Sequence, residues 1–309
     1  MNAHADAMNG TAVGAPEIAP AIVRATRPFY WSLRRELWEN WWLYLAPLAA
    51  AGVFLIGFMV TAGRIPAQMR EMAGPIALRH RIDAIALPYD MAAGLLMVTA
   101  MIVAAYYSLT ALQGERRDRS ILFWKSMPVS DRTVVLAKAV IPIFLVQLFT
   151  FAVTVVLQFL MLLVNSAVLA GSGQSVAQLW RVMMPLEIWL VLFYHLMVVH
   201  ALWHAPFYGW MLLVSSWARR AAFLWAALPV VAIMALEKLL FHTTHFVNFL
   251  GYRLAGDPTA VFVRDLPTDP MTQIMPLHFL LNPGLWTGLA FTALCVAGAI
   301  RLRRQHGPL

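Results

Sequence analysis

The stretch Ala139-Val-Ile-Pro-Ile-Phe-Leu-Val-Gln-Leu-Phe-Thr-Phe-Ala-Val-Thr-Val-Val-Leu-Gln-Phe-Leu-Met-Leu-Leu-Val-Asn-Ser-Ala167 contains no charged residue. A helix rises 1.5 Å per residue, so about 20 apolar residues cross the hydrocarbon core. This run exceeds that length, and five others accompany it. The spans are read at 41–62, 89–112, 139–167, 184–216, 221–241 and 284–300. The third and fourth are long enough to tilt or to project from the bilayer. Pro206 lies inside the fourth and predicts a kink.

Composition agrees with the spans. The chain has 309 residues, of which 61% are hydrophobic and 12% charged. Soluble domains sit near half apolar and a quarter charged, so this is an all-α polytopic membrane protein. The single cysteine, Cys295, excludes a disulfide framework within the chain. A net charge of +8 raises nucleic acid as a partner. The basic residues flank apolar spans, however, and that is a topology pattern; nucleic acid is not an expected partner.

The Lys and Arg residues set the expected orientation. With the N-terminus inside, fifteen of the 23 fall on the cytoplasmic side, which puts both termini there, in a cytoplasmic (inner) membrane. Arg64, Arg70, Arg79 and Arg81 fall on the other side, where they would form a basic rim. Residues 1–27 lack an apolar core and read as a disordered cytoplasmic tail, not a signal peptide. Residues 28–40 read as an amphipathic interfacial helix. Tyr30, Leu33, Leu37 and Trp41 share one face, with Ser32, Arg35, Glu36 and Glu39 largely opposite. The six-helix transmembrane domain then spans 41–304, and residues 305–309 form a short cytoplasmic tail. The 242–283 loop is proline-rich and long for a turn, so short helices over the outer mouth are expected.

Between the second and third spans, in the loop 113–138, lies Gly114-Glu-Arg-Arg-Asp-Arg-Ser-Ile-Leu-Phe-Trp-Lys-Ser-Met-Pro-Val-Ser-Asp131. Charge surrounds an apolar and aromatic knob. Such a patch marks a contact surface, or else an anchor with Trp at the headgroups. Glu115 to Lys125 is expected to form a short helix showing Ile121, Phe123 and Trp124, with Pro128 ending it. Ser130 or Asp131 would cap the next helix.

Polar residues inside the spans form stripes. At about 100° per residue, Gln147, Thr150, Thr154, Gln158 and Asn165 fall within about 80° of arc on the third span. Thr99, Tyr106, Thr110 and Gln113 fall within about 60° on the second. Both stripes should avoid lipid. Interhelical hydrogen bonding explains the third-span stripe, and pathway lining remains open for Gln147, Thr154 and Gln158. Glu187 and Glu237 lie near outer span ends, as interfacial carboxylates or as gate residues. The pairs His200/His204 and His242/His245 raise an alternative, an intramembrane metal-dependent enzyme. Their expected depths differ by roughly 10 Å, and no H-E-x-x-H occurs, so no metal site is expected.

The 114–131 stretch resembles the cytoplasmic coupling loop of ABC exporter permeases of the type-2 class, with the type V fold. The matching positions are Ser120, Ile121, Phe123, Trp124, Lys125, Ser126, Pro128, Ser130, Asp131 and Lys138. A second stretch, Ala205–Arg220 followed by Phe223, Trp225, Pro229 and Glu237, is also similar to the family. The resemblance covers most of residues 28–300; the 1–27 tail and the 242–283 loop lie outside it. It implies a permease that seats a cytoplasmic coupling helix on a separate ATPase subunit. The working unit would hold two ATPase copies and a second permease chain, identical or similar, in membrane lipid. The coupling residues would be Glu115, Arg116, Arg117, Ser120, Ile121, Phe123, Trp124, Lys125 and Pro128. The family places the second span near the dimer axis, which favours pathway lining by Thr99, Tyr106 and Thr110. Nothing in the chain matches G-x-x-x-x-G-K-[ST], so ATP and Mg would sit on the partner, and this subunit would carry no catalytic residue of its own. A pathway with so few charges suits a lipophilic or amphipathic substrate such as a peptide, lipid or drug. A membrane anchor or sensor that recruits a partner through the same loop is a third reading.

Overall fold

The computed structural model describes residues 28–71, 78–126, 129–255, 274 and 276–305. Among them every regular element is a helix. The 1–27 tail and most of 256–275 lie outside the described residues, as do the side chains of Phe123 and Trp124 and all of Pro128.

Six helical rods are long and apolar enough to cross a membrane: Trp42–Arg70, Ala84–Arg117, Asp131–Gly171, Val176–Trp217, Ala222–Phe241 and Pro283–Gln305. Five of them outrun the expected spans by a turn or more. In the first, α2 (Trp42–Thr61) continues through a tight turn at Ala62–Arg64 into α3 (Ile65–Glu71). The second, α4, runs from Leu78 to Arg117. The third joins α6 (Asp131–Val140) to α7 (Val146–Gly171) through a widened π turn at Ile141–Leu145. Pro142 in that turn has no N–H to donate, and the Gln147 amide reaches back to its carbonyl at 3.2 Å. Lys138 is thereby part of a continuous span, not of a loop.

The fourth rod breaks where Met184 adopts a left-handed conformation and Pro185 starts a new helix. The break separates α8 (Val176–Met183) from α9 (Pro185–Tyr194). A second π turn, His195–His200, leads into α10 (Ala201–Trp217). Pro206 stays inside α10; the expected irregularity sits ahead of it, in the widened turn. The fifth rod is α11 (Ala222–Phe241).

The α4, α7 and α10 helices form the centre, and α10 packs most extensively on α4 and on the last rod. One apolar cluster, with Phe58, Tyr89, Leu96, Met161 and Leu169, fills the half of the first four rods away from the N-terminal helix. A second, with Leu43, Ala104, Val135, Ile141, Tyr208 and Ala299, fills the half beside it. Gly209 permits the close approach of α10 to the last rod, since a Cβ there would lie 3.3 Å from the Thr292 backbone. The fifth rod stands at the edge, touching the bundle through Ala222 and Ala226.

The 242–283 loop contains α12 (His245–Ala255) and α13 (Pro276–Leu281), short helices of the kind expected there. Both lie beside the N-terminal ends of α10 and of α14 (Pro283–Gln305). The N-terminal helix α1 (Pro28–Glu39) packs on α6. Leu33 and Leu37 touch the second apolar cluster, while Tyr30 and Trp41 are exposed. Glu36, expected on the polar face, is instead buried against the bundle.

Candidate functional site

The loop between the second and third spans differs from its expected form in one instructive way. Residues 115–117 finish α4; they do not begin a separate helix. Arg119 then adopts a left-handed conformation (φ 57°), and α5 starts anew at Ser120 and ends at Ser126. Ile121 is turned inward and is 1% exposed, so it is not part of an exposed knob. Leu122 and Lys125 are exposed. Beyond α5, the Ser130 hydroxyl accepts the Thr133 N–H at 3.1 Å, so Ser130 is the cap of α6.

Charged groups on both flanks of α5 converge on one buried cluster. Ahead of α5, the Glu115 carboxylate pairs with Arg303 of α14 and lies 3.2 Å from Lys138 of α6. Behind α5, Asp131 pairs with the same Arg303 at 3.0 Å. Lys138 Nζ donates to Glu36 of α1 at 2.6 Å, and the Tyr107 hydroxyl of α4 donates to the other Glu36 oxygen at 2.8 Å. Arg35 approaches Glu115 at 3.9 Å while pairing with Glu39 at 2.7 Å. At the heart of the cluster two buried carboxylates, Glu36 and Glu115, balance two buried cations, Lys138 and Arg303. Glu36, Glu115, Lys138 and Arg303 are all buried. Burying a charge alone is costly, and neutrality within the cluster is what makes the arrangement tenable.

Arg116 is buried too. Its guanidinium donates to the carbonyls of Ser215 and Ala218 at 2.9 and 2.8 Å. These are among the last carbonyls of α10, which lack helical partners, so Arg116 caps that helix from α4. Ser215 Oγ in turn accepts from the N–H groups of Leu112 and Gln113. Of the residues expected to reach a partner, Glu115, Arg116 and Ile121 therefore face the bundle, whereas Arg117 and Lys125 face outward and Ser120 is half-buried.

The two polar stripes separate. On the third span, Gln147, Thr150, Thr154, Gln158 and Asn165 are all buried. Gln158 donates to the Tyr89 carbonyl at 3.1 Å and accepts from Trp189 Nε1 at 3.0 Å; Asn165 donates to the Tyr89 hydroxyl at 2.9 Å. That stripe ties α7 to α4 and α9. On the second span, Tyr106 is 57% exposed, and Thr99, Thr110 and Gln113 are half-buried. Thr99 and Thr110 donate to carbonyls of their own helix, at Leu95 and Tyr106. This face is turned away from the chain's own bundle.

The acids and histidines singled out in the sequence differ in their surroundings. The Glu237 carboxylate accepts from the Thr243 hydroxyl and from the backbone N–H groups of His245 and Phe246, at 2.6–2.8 Å. It caps the start of α12. Glu187 sits in the first turn of α9, with one carboxylate oxygen buried and unpartnered. His200 and His204 stack in the interior, 4.2 Å between ring centroids, and His204 also contacts the Leu254 carbonyl at 3.2 Å. His242 and His245 are exposed. Among the described residues no three His, Cys, Asp or Glu side chains converge as a metal-ligand set.

Sequence reasoning missed the cluster of Glu36, Tyr107, Asp131, Lys138 and Arg303 as a unit. The signal was present in Lys138, a lone cation at the edge of the longest uncharged run, but its partner Glu36 is 102 residues away. No family model, curated protein or solved structure matches the chain.

Proposed function

We propose that this membrane protein is the permease subunit of an ATP-driven exporter of the ABC type-2 class, moving a lipophilic or amphipathic substrate across the cytoplasmic membrane. Its α5 is the coupling helix, received by an ATPase subunit on a separate chain. Two such ATPase chains bind ATP and Mg, and a second permease chain completes the pathway. Both termini face the cytoplasm.

The observation that carries this reading is the placement of α5. It is a short helix held between breaks, and its two flanks, Glu115 and Asp131, meet on Arg303. A displacement of α5 would reach α14 through the adjoining ends of α4 and α6, and α1 through Lys138 and Glu36. Coupling of this kind needs a contiguous network with more than one arrangement. The face of α4 that carries Tyr106, which is 57% exposed, supplies a contact surface for the second permease chain.

The test begins with a pull-down of the tagged chain from native membranes, followed by ATPase measurement with and without candidate amphiphiles. An ATPase subunit should co-purify, and Trp124→Ala or Phe123→Asp should uncouple hydrolysis from transport while the bundle stays folded. Absence of an ATPase subunit, or intact transport in both variants, refutes the reading.

A further inference from the structure

At the same end of the bundle as the ion-pair cluster, but on the opposite face of α14, lies an open cleft of about 550 Å³ lined by Arg132, Ala297, Ile300, Arg301 and Arg304. Its volume falls within the range of small-ligand sites, about 300–1,000 Å³. Helical spacing explains its make-up. Residues 297, 300, 301 and 304 form one stripe along α14, while Arg303 points the other way, into the cluster. Arg132 enters from the first turn of α6, and Leu136, one turn deeper on the same face, is 46% exposed. Each of the two helices thus offers arginine at its end and aliphatic surface one turn further in.

The charge of the cleft is not neutralised locally. Arg132, Arg301 and Arg304 are exposed, and none has an ion-pair partner among the described residues. Asp131, next to Arg132 in sequence, is held by Arg303 at 3.0 Å. Arg301 directly follows Ile300, at the end of the apolar run, so these guanidiniums lie at headgroup depth. Guanidinium forks match phosphate oxygens in geometry and charge.

We propose that this cleft is a binding site for an anionic phospholipid, with the phosphate held by Arg132, Arg301 and Arg304 and an acyl chain laid on Ile300, Ala297 and Leu136. The aliphatic half selects a lipid over a free anion. It also selects against a water-soluble acidic protein, which does not reach a helical turn into the hydrocarbon. Basic pockets between spans at a membrane surface favour lipid phosphates for the same reason. The proposal depends neither on the permease reading nor on which side of the membrane this end faces.

The test is native mass spectrometry of the full chain in detergent, titrated with phosphatidylglycerol, with phosphatidylethanolamine of the same acyl chains, and with inorganic phosphate. The wild type should retain phosphatidylglycerol preferentially. Each arginine near a membrane surface contributes about fivefold in affinity, so Arg301→Ala/Arg304→Ala should weaken phosphatidylglycerol binding roughly 25-fold and weaken phosphatidylethanolamine, whose ammonium offsets its phosphate, by much less. Arg219→Ala/Arg220→Ala, which removes the same charge elsewhere, should keep the preference. Circular dichroism confirms folding; should the double variant misfold, Arg132→Ala alone should show the fivefold loss. Equal retention of the two lipids overturns the proposal, as does an unchanged preference in the folded variants. Displacement of the lipid by millimolar phosphate, or loss of an acidic protein partner without loss of lipid, overturns it equally.

Discussion

Lys138→Met is the sharpest perturbation of the buried cluster. Lys138 is 2% exposed and touches both Glu36 and Glu115, at 2.6 and 3.2 Å. Methionine fills nearly the same volume, so packing changes little. What changes is charge: the buried set of two carboxylates and two cations loses one cation. Glu36 keeps only the Tyr107 hydroxyl, and Glu115 keeps Arg303 and the distant Arg35. Removing one partner of a buried pair costs about 3–5 kcal/mol, because the remaining charge stays out of water. The assay is urea unfolding in detergent micelles, read by the fluorescence of the 12 tryptophans. The double variant Lys138→Met/Glu36→Gln restores neutrality and should recover more than half of the loss, while Glu36→Gln alone should cost about 1–3 kcal/mol as a disturbed hydrogen bond. A cost below about 1 kcal/mol for Lys138→Met, or a double variant no more stable than Lys138→Met alone, would refute the assignment of a buried charge cost.

Other expectations follow from single residues. Ile121→Ala, at a buried position of α5, should destabilise the chain by about 2–5 kcal/mol, a loss visible in the same unfolding assay. Gln158→Leu breaks the links to Tyr89 and Trp189 and should cost about 1–2 kcal/mol; a wild-type unfolding curve would show that the third-span stripe is not structural. Glu237→Gln weakens the cap on α12, so hydrogen exchange at residues 245–248 should quicken while exchange in α7 stays unchanged. Ser130→Ala should lower stability by about 1 kcal/mol through loss of the α6 cap, measured as a shift in the unfolding midpoint.

The third-span stripe was readable because helical period and the dislike of lipid for polar groups are local rules. Five polar residues on one arc must face protein, and they do. The same rules applied to α4 predicted a shielded face and found an outward one, because period says which residues share a face and not what that face meets. Glu36 is a second case. It lies among the polar residues of an amphipathic helix, yet Lys138 and Tyr107 offer it partners that no local pattern reveals. Glu115 and Arg116 looked like a charged loop because the sequence turns polar there. In space the α4 helix continues past them, and the ends of α14 and α10 stand close enough to pair with them.

Hydrophobic run length by itself determined that this chain lies in a membrane, that it has six candidate spans, and that a charged segment interrupts them after the second. A helix must satisfy its backbone internally in hydrocarbon, so composition is enough to specify the element. Which ends meet, and therefore which charges neutralise one another and which arginines stay free for a lipid, only the packing of α1, α4, α6, α10 and α14 decided. Those contacts join residues up to 188 positions apart, and their energy depends on burial and distance, neither of which is written in residue order.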